Sequence, residues 1–417
     1  MSNLEKNESN MPKEIVIPKG NVFKKFMYLL STVGAGAILM SINMGPGTAT
    51  SCVSAGASYG YSLLWLVLAS GLMGCVISYL GGKVTAVTGK SLLDNVRGIN
   101  GIFCNIVMVL ILVTYYRLVL IQGSTLMHLT SIIFGEKFKV IAFTITILAL
   151  GYIFTSGKNN AIKIASLMCT VMALVFVFNI FWAKPDPVEM LKGLIPTIPK
   201  TKQEALMFAG IIGGAATGLV GMMYSFSAKD SNYTKPKYLK NILIDQVYFN
   251  ILFALYSAGI FISGAAVLNP SGIVVKTALD ASSVLEPLAG PIGKWIFIFG
   301  LWAAVFTTIG GLGSLTSYVA CLLFKKGDSL NDKSVKIGII VAVVFAFLGA
   351  FVQAPALPNL IGGTGSLNIV GAILTILILY ITNNKKYMGE HVNKWPLNIL
   401  GAMVLLLNLY SAYNVLL

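Results

Sequence analysis

Eleven apolar runs follow one another along this chain and leave little room for anything else. They cover roughly 26–54, 60–82, 101–134, 138–156, 161–183, 205–228, 239–268, 288–323, 336–353, 357–382 and 395–416. A helix needs ~20 apolar residues to cross the hydrocarbon of a bilayer, and most of these runs reach that length. The third and eighth exceed it and are expected to tilt or to extend into the headgroups. None alternates polar and apolar residues, which removes the β-barrel. Composition closes off a large soluble core: 11% of residues are charged, against roughly 25% in soluble domains. The expectation is an all-α polytopic membrane protein of about 11 transmembrane helices.

The net charge of +15 would suggest nucleic acid if the basic residues formed a stripe. They lie instead between the runs, as topology-setting charge does. With the N-terminus inside, cytoplasmic segments carry 21 Lys and Arg, external segments carry eight, and Arg117 lies within a run. The reading is a multi-pass protein of the cell membrane, N-terminus cytoplasmic and C-terminus external, with the lipid bilayer as a partner and no nucleic acid. Five cysteines (Cys52, Cys75, Cys104, Cys169, Cys321) sit inside apolar runs without CxxC spacing, which fits neither a disulfide framework nor a zinc site. The apolar run after Lys24 and Lys25 is too long for a signal-peptide core.

Two runs are interrupted. The first carries SINMGPGTATS, with Gly45, Pro46 and Gly47 inside the apolar stretch; the sixth carries GIIGGAATGLVGMMYS. Proline removes a backbone donor and clashes with the preceding turn, and glycine tolerates unwinding. Glycines in a span also let helices pack closely, which accounts for the sixth run nearly as well as a break does. Gly-Pro-Gly is too disruptive for packing alone. Runs one and six open two five-helix halves, and paired broken helices point to an inverted-repeat transporter with its site at mid-membrane. The domain reading is a cytoplasmic tail (1–25) and a transporter domain (26–417). That domain holds a first repeat at about 26–183, a second at about 205–382 and an extra last helix at about 395–416. The candidate substrate-binding residues are Gly45, Pro46, Gly47 and Thr48 at the first break and Ala216, Thr217 and Gly218 at the second.

The run GAGAILMSINMGPGTATSCVSAGASYGYSLLW resembles the first helix of the NRAMP divalent-metal transporters, where a DPGN motif occupies the place of Gly45 to Thr48. VTGKSLLDNV resembles the family's segment after the second helix, FIFGLWAAVFTTIGGLGSLTSYV its eighth helix, and NNKKYMGE the stretch before its last helix. The resemblance spans nearly the whole chain and implies an eleven-helix LeuT-like fold of five-plus-five inverted repeats, with broken helices 1 and 6.

The departures concern the chemistry. The family's metal-binding aspartate and asparagine places hold Gly45 and Thr48. Its sixth-helix MPH motif falls on Thr217, Gly218 and Leu219, and a second histidine on Tyr224. Its third-helix acids fall on Arg117 and Leu120. Transition metals want carboxylate, imidazole or thioether ligands. Only Met40, Met44, Met222, Met223 and Cys52 offer sulfur near the breaks, and methionines there also serve as flexible apolar filler. No metal ligand is assigned. A proton relay needs ionisable groups in the membrane; His128 and His391 lie outside the expected route. Arg117, a permanent cation at mid-run, is expected to face protein or a water-filled cavity. It reads either as a gating or counter-charge site or as a structural partner of carbonyls, tyrosines or Asp245. Asp94 and Asp230 read as solvated.

By resemblance the function is divalent-cation transport of a weak, hydrated-cation type, without proton coupling by the family route. The alternatives are a transporter of a small organic anion or zwitterion, its carboxylate held by the broken-helix amides and Arg117, and a non-transporting membrane sensor. No nucleophile–base constellation or phosphate loop points to an enzyme, and no cofactor is expected.

Overall fold

The computed structural model describes residue 39, residues 42–156, 171, 173–327, 332–352 and 356–416. Within a bilayer every backbone N–H and C=O must be paired internally, which leaves helices as the solution for single segments. The described residues are accordingly helical, with no strand among them. The longer helices are α1 (Pro46–Tyr59), α2 (Leu64–Thr88), α3 (Leu92–Ile99), α4 (Gly101–Phe134), α5 (Lys139–Ser156) and α6 (Ala173–Ala183). They continue with α7 (Lys202–Ala215), α8 (Gly218–Asp230), α9 (Leu239–Ser263), α10 (Pro291–Leu323), α11 (Lys333–Gly349), α12 (Ala356–Asn383) and α13 (Trp395–Leu416). A π turn, Gly264–Leu268, prolongs α9.

Among the described residues eight segments are long and apolar enough to cross a membrane, with α7 and α8 counted as one. The first, fifth and ninth runs overlap α1, α6 and α11, with much of the first half of runs one and five lying outside the described residues. The molecule is therefore an all-α, multi-pass membrane protein.

Two groups of helices pack internally more than against each other. One joins α1, α2, α7, α8 and α9; the other joins α4, α5, α10 and α11. Helix α12 touches both, and α13 lies against α12, α7 and α2. Small residues permit the tightest crossings: a Cβ on Gly81 would sit 1.9 Å from the carbonyl oxygen of Gly221, and one on Gly123 would sit 1.8 Å from that of Ala346. In lipid, where apolar surface gains nothing by leaving water, such close approach is what holds helices together.

At the end of α8 the chain corrects one expectation. Asp94 is not a freely solvated loop acid. It closes a capping box with Ser91 at the start of α3 and accepts from Lys229 Nζ at 2.8 Å. Burial pushes its carboxyl up, but the bonds from Lys229 and Ser91 outweigh that and hold it below the usual range. Asp230 is the last residue of α8.

Candidate functional site

Each break has its own cause. Gly45 is extended (φ −72°, ψ 174°), and Pro46 opens α1 at the first helical position, where its missing N–H costs nothing and its fixed φ suits the helix. At the second break Ala216 (φ −119°, ψ 46°) and Thr217 (φ −118°, ψ 157°) leave the helical region and part α7 from α8. No proline acts there. Close neighbours do, because Gly214 faces the hydroxyl of Thr48 and a Cβ on it would sit 2.3 Å from Oγ1. Gly47 likewise faces Thr364, with 2.0 Å between its would-be Cβ and Oγ1. The two breaks therefore lie against each other.

Between them is a cavity of about 30 Å³, room for roughly two water molecules. Gly45, Gly47, Thr48 and Thr217 line it from the breaks, Tyr115 and Gln122 from α4, Thr308 from α10, and Thr364 from α12. Three of these side chains carry buried oxygens with no partner among the described residues: Tyr115 Oη, Gln122 Oε1 and Thr217 Oγ1. Their residues are 1%, 2% and 0% exposed. Buried polar atoms are nearly always paired, so three orphans around one cavity call for a ligand or water. The Thr48 hydroxyl donates to the backbone carbonyl of Asn43 at 2.7 Å, which leaves its lone pairs directed elsewhere. No carboxylate, imidazole or thiolate lines the cavity. Among the described residues no three His, Cys, Asp or Glu side chains gather where they could share an ion.

The remaining sequence candidates separate. Pro46 shapes the break without lining the cavity, and Gly218 packs against α12, where a Cβ would meet Thr375 N at 2.3 Å. Ala216 offers its carbonyl to Asn408. Met223 lines the cavity, whereas Met44, Met222 and Cys52 are buried away from it; Met40 lies outside the described residues. Arg117 does not line this cavity: it is exposed on the surface of the helix bundle. Two residues beyond Tyr115 is roughly 200° around the helix, so Arg117 points away from the site that Tyr115, Leu118 and Gln122 border. The Leu120 carbonyl packs on α11, 2.2 Å from a would-be Cβ on Gly349. Asp245 is not the partner of Arg117 either; its carboxylate accepts from the Tyr224 hydroxyl in the interior. Tyr115, Gln122, Thr308, Thr364 and Asn43 were not among the sequence candidates. The one signal that pointed to them was a polar side chain inside an apolar run.

The family model "Natural resistance-associated macrophage protein-like" (Nramp) matches residues 36–417. Among curated relatives, a divalent metal cation transporter MntH of Caldanaerobacter subterraneus subsp. tengcongensis is 25% identical over 403 residues, covering 92% of this chain and 91% of the relative. The Bacillus subtilis MntH is 24% identical, covering 89% and 88%. Among solved structures, a variant of the Eremococcus coleocola manganese transporter superposes with a TM-score of 0.73 at 16% identity, covering 97% of this chain and 89% of that one. Mhp1, a nucleobase-cation-symport-1 family transporter, matches with a TM-score of 0.56 at 14% identity, covering 92% and 90%.

Proposed function

The chain belongs to the Nramp family, and on that premise we propose that it carries divalent metal cations across a membrane and binds them at the cavity between its two broken helices. It is a transporter and not an enzyme. The observation that carries the site is the set of three unpartnered buried oxygens, Tyr115 Oη, Gln122 Oε1 and Thr217 Oγ1, around that cavity. Oxygen is the donor that hard cations take. Gly213 and Gly214, near the C-terminal end of α7, also border the cavity, and half-helix C-termini supply carbonyls to such sites. Thr48 and the backbone at Gly45 and Gly47 complete it, while Pro46, Ala216 and Gly218 shape the breaks around it.

The donors are neutral, and affinity of oxygen sites falls with the number of charged ligands. The cation is therefore held weakly and keeps part of its water. The groups facing the cavity from α4 are Tyr115, Leu118 and Gln122, none of them an acid or a histidine, so a proton has no relay along that face. Arg117 lies too far around the helix to hold a carboxylate in the cavity, so an organic-anion cargo has no counter-charge there. The basic bias of alternate loops supports a cytoplasmic N-terminus and an external C-terminus. The paired breaks support a first repeat at about 26–183 and a second at about 205–382.

Uptake of Mn²⁺, Mg²⁺ and Ca²⁺ into proteoliposomes tests the reading, with internal pH followed at the same time. Saturable uptake without acidification is expected, weakened by Gln122→Leu. Micromolar Mn²⁺ binding by calorimetry, or acidification in step with uptake, would count against it.

A further inference from the structure

We propose that Asn408, on the last helix and outside both repeats, is a positioning residue for the transport site: it pins the carbonyl freed at the break between α7 and α8. The idea rests on the transport reading above for its functional half; the contact itself stands apart from it.

Breaking a helix inside a membrane leaves carbonyls that no water can satisfy. At the second break Ala216 N still bonds to the carbonyl of Ile212, but the Ala216 carbonyl has no successor in α8 because Thr217 is extended. Asn408 Nδ2 reaches it from α13 at 2.6 Å. The same nitrogen donates to the Val404 carbonyl at 2.8 Å, while Oδ1 has no partner among the described residues. The amide serves as a donor, since the flipped orientation would set its oxygen against two carbonyl oxygens. The residue is fully buried. Gly371 on α12 opens the space: a Cβ there would lie 2.7 Å from Thr217 Cβ and 3.0 Å from Asn408 Oδ1. Helices α12 and α13 therefore meet the break directly behind Thr217.

The consequence runs through the peptide plane. The C=O of Ala216 and the N–H of Thr217 belong to one rigid trans unit and point opposite ways. Fixing the carbonyl against α13 turns the Thr217 amide away from α13. It also fixes the backbone that carries Thr217 Oγ1, one of the three orphan oxygens of the cavity. A terminal helix that would otherwise be packing thus sets the orientation of a cargo ligand.

The test compares Asn408→Leu, similar in volume but without donors, and Asn408→Asp, nearly isosteric with an acceptor where the donor was. Asn414→Leu is the control, since among the described residues Asn414 bonds within α13, to the Tyr410 carbonyl. Hydrogen exchange of peptides covering 212–222 should speed up roughly five- to tenfold in both Asn408 variants, the opening expected from loss of one buried hydrogen bond, and stay unchanged in the control. In proteoliposomes KM for Mn²⁺ should rise several-fold while Vmax per folded protein holds; a residue needed only for folding would lower Vmax per total protein and leave KM alone. If Asn408→Leu does not give folded protein, Asn408→Asp carries both measurements. Unchanged exchange at the break, or unchanged KM with faster exchange, overturns the proposal. Wild-type protein that carries no divalent cation would defeat the transport reading instead, and the exchange comparison would still decide whether Asn408 holds the break.

Discussion

At the first break the chain satisfies its own freed carbonyl; at the second it borrows a side chain from another helix. Thr48 reaches back from the first turn of α1 to the Asn43 carbonyl, whereas the Ala216 carbonyl takes its bond from Asn408 on α13. The first break is written locally, by a proline that cannot continue the helix. The second has no proline and depends on what surrounds it: Gly213 and Gly214 pressed against Thr364 and Thr48, and α13 behind Thr217. The difference teaches which substitutions each break should tolerate. A locally encoded break survives changes in its neighbours. A break imposed by packing does not.

The largest effect should come from removing that packing freedom. A methyl on Gly213 would lie 2.1 Å from the Thr364 backbone oxygen, which no rotamer change relieves. Gly213→Ala is expected to cost at least the ~1–3 kcal/mol of an overpacked core and to abolish Mn²⁺ uptake. A methyl on Gly47 would strike Thr364 Oγ1 at 2.0 Å, which is a side chain. Adding Thr364→Ala should therefore restore part of the thermal stability lost in Gly47→Ala, while no side-chain truncation rescues Gly213→Ala. Equal rescue of both would erase the distinction between the breaks.

A smaller effect separates the two threonines. Thr48→Val strips the donor from a buried carbonyl and should lower stability by ~1–3 kcal/mol. Thr217→Val removes a hydroxyl that has no partner among the described residues, so thermal unfolding should stay the same or rise. Its KM for Mn²⁺ should increase roughly fivefold, as loss of one oxygen contact worth ~1 kcal/mol implies. A Thr217→Val protein that loses stability and keeps its KM would remove Thr217 from the site.

How much of this was legible in the sequence follows from the range of each signal. The helical membrane fold needs only the length of apolar runs, and Gly-Pro-Gly at 45–47 needs only its own three residues. The partners of the breaks need more. Thr308, Thr364 and Asn408 lie far along the chain, and a single polar residue in an apolar run has no periodicity to announce it. Arg117 shows a second limit. One residue of error in register rotates a helical side chain by roughly 100°, so a placement good to one residue along α4 cannot tell its cavity face from its outer face. Tyr115, Leu118 and Gln122 face inward and Arg117 does not. Asp94 shows a third: its partner Lys229 is on another helix, and ion pairs across helices leave no trace in local composition.

The smallest expected effect concerns the anchor that steadies only the second break. Helix α8 is tied at its C-terminal end to α3 by Lys229 and Asp94, 2.8 Å apart and about one-fifth exposed. Because Asp94 is held below the usual carboxylate range, the folded state binds its proton less readily than the unfolded chain does. Its contribution is complete above the unfolded pKa near 4 and is lost as pH falls through the lower, folded value. Between neutral pH and about 5 the anchor should therefore be indifferent to pH. Below about 4 it should weaken, and Asp94→Asn should remove that part of the acid dependence. Exchange in the last turn of α8 reads this directly: it should rise in Asp94→Asn at neutral pH, and acid should add less in the variant than in wild type. The α1 region should respond to neither change. If exchange at the two breaks rises together in Asp94→Asn, the halves of the site move as one body and the local capping at Thr48 does not isolate the first from the second.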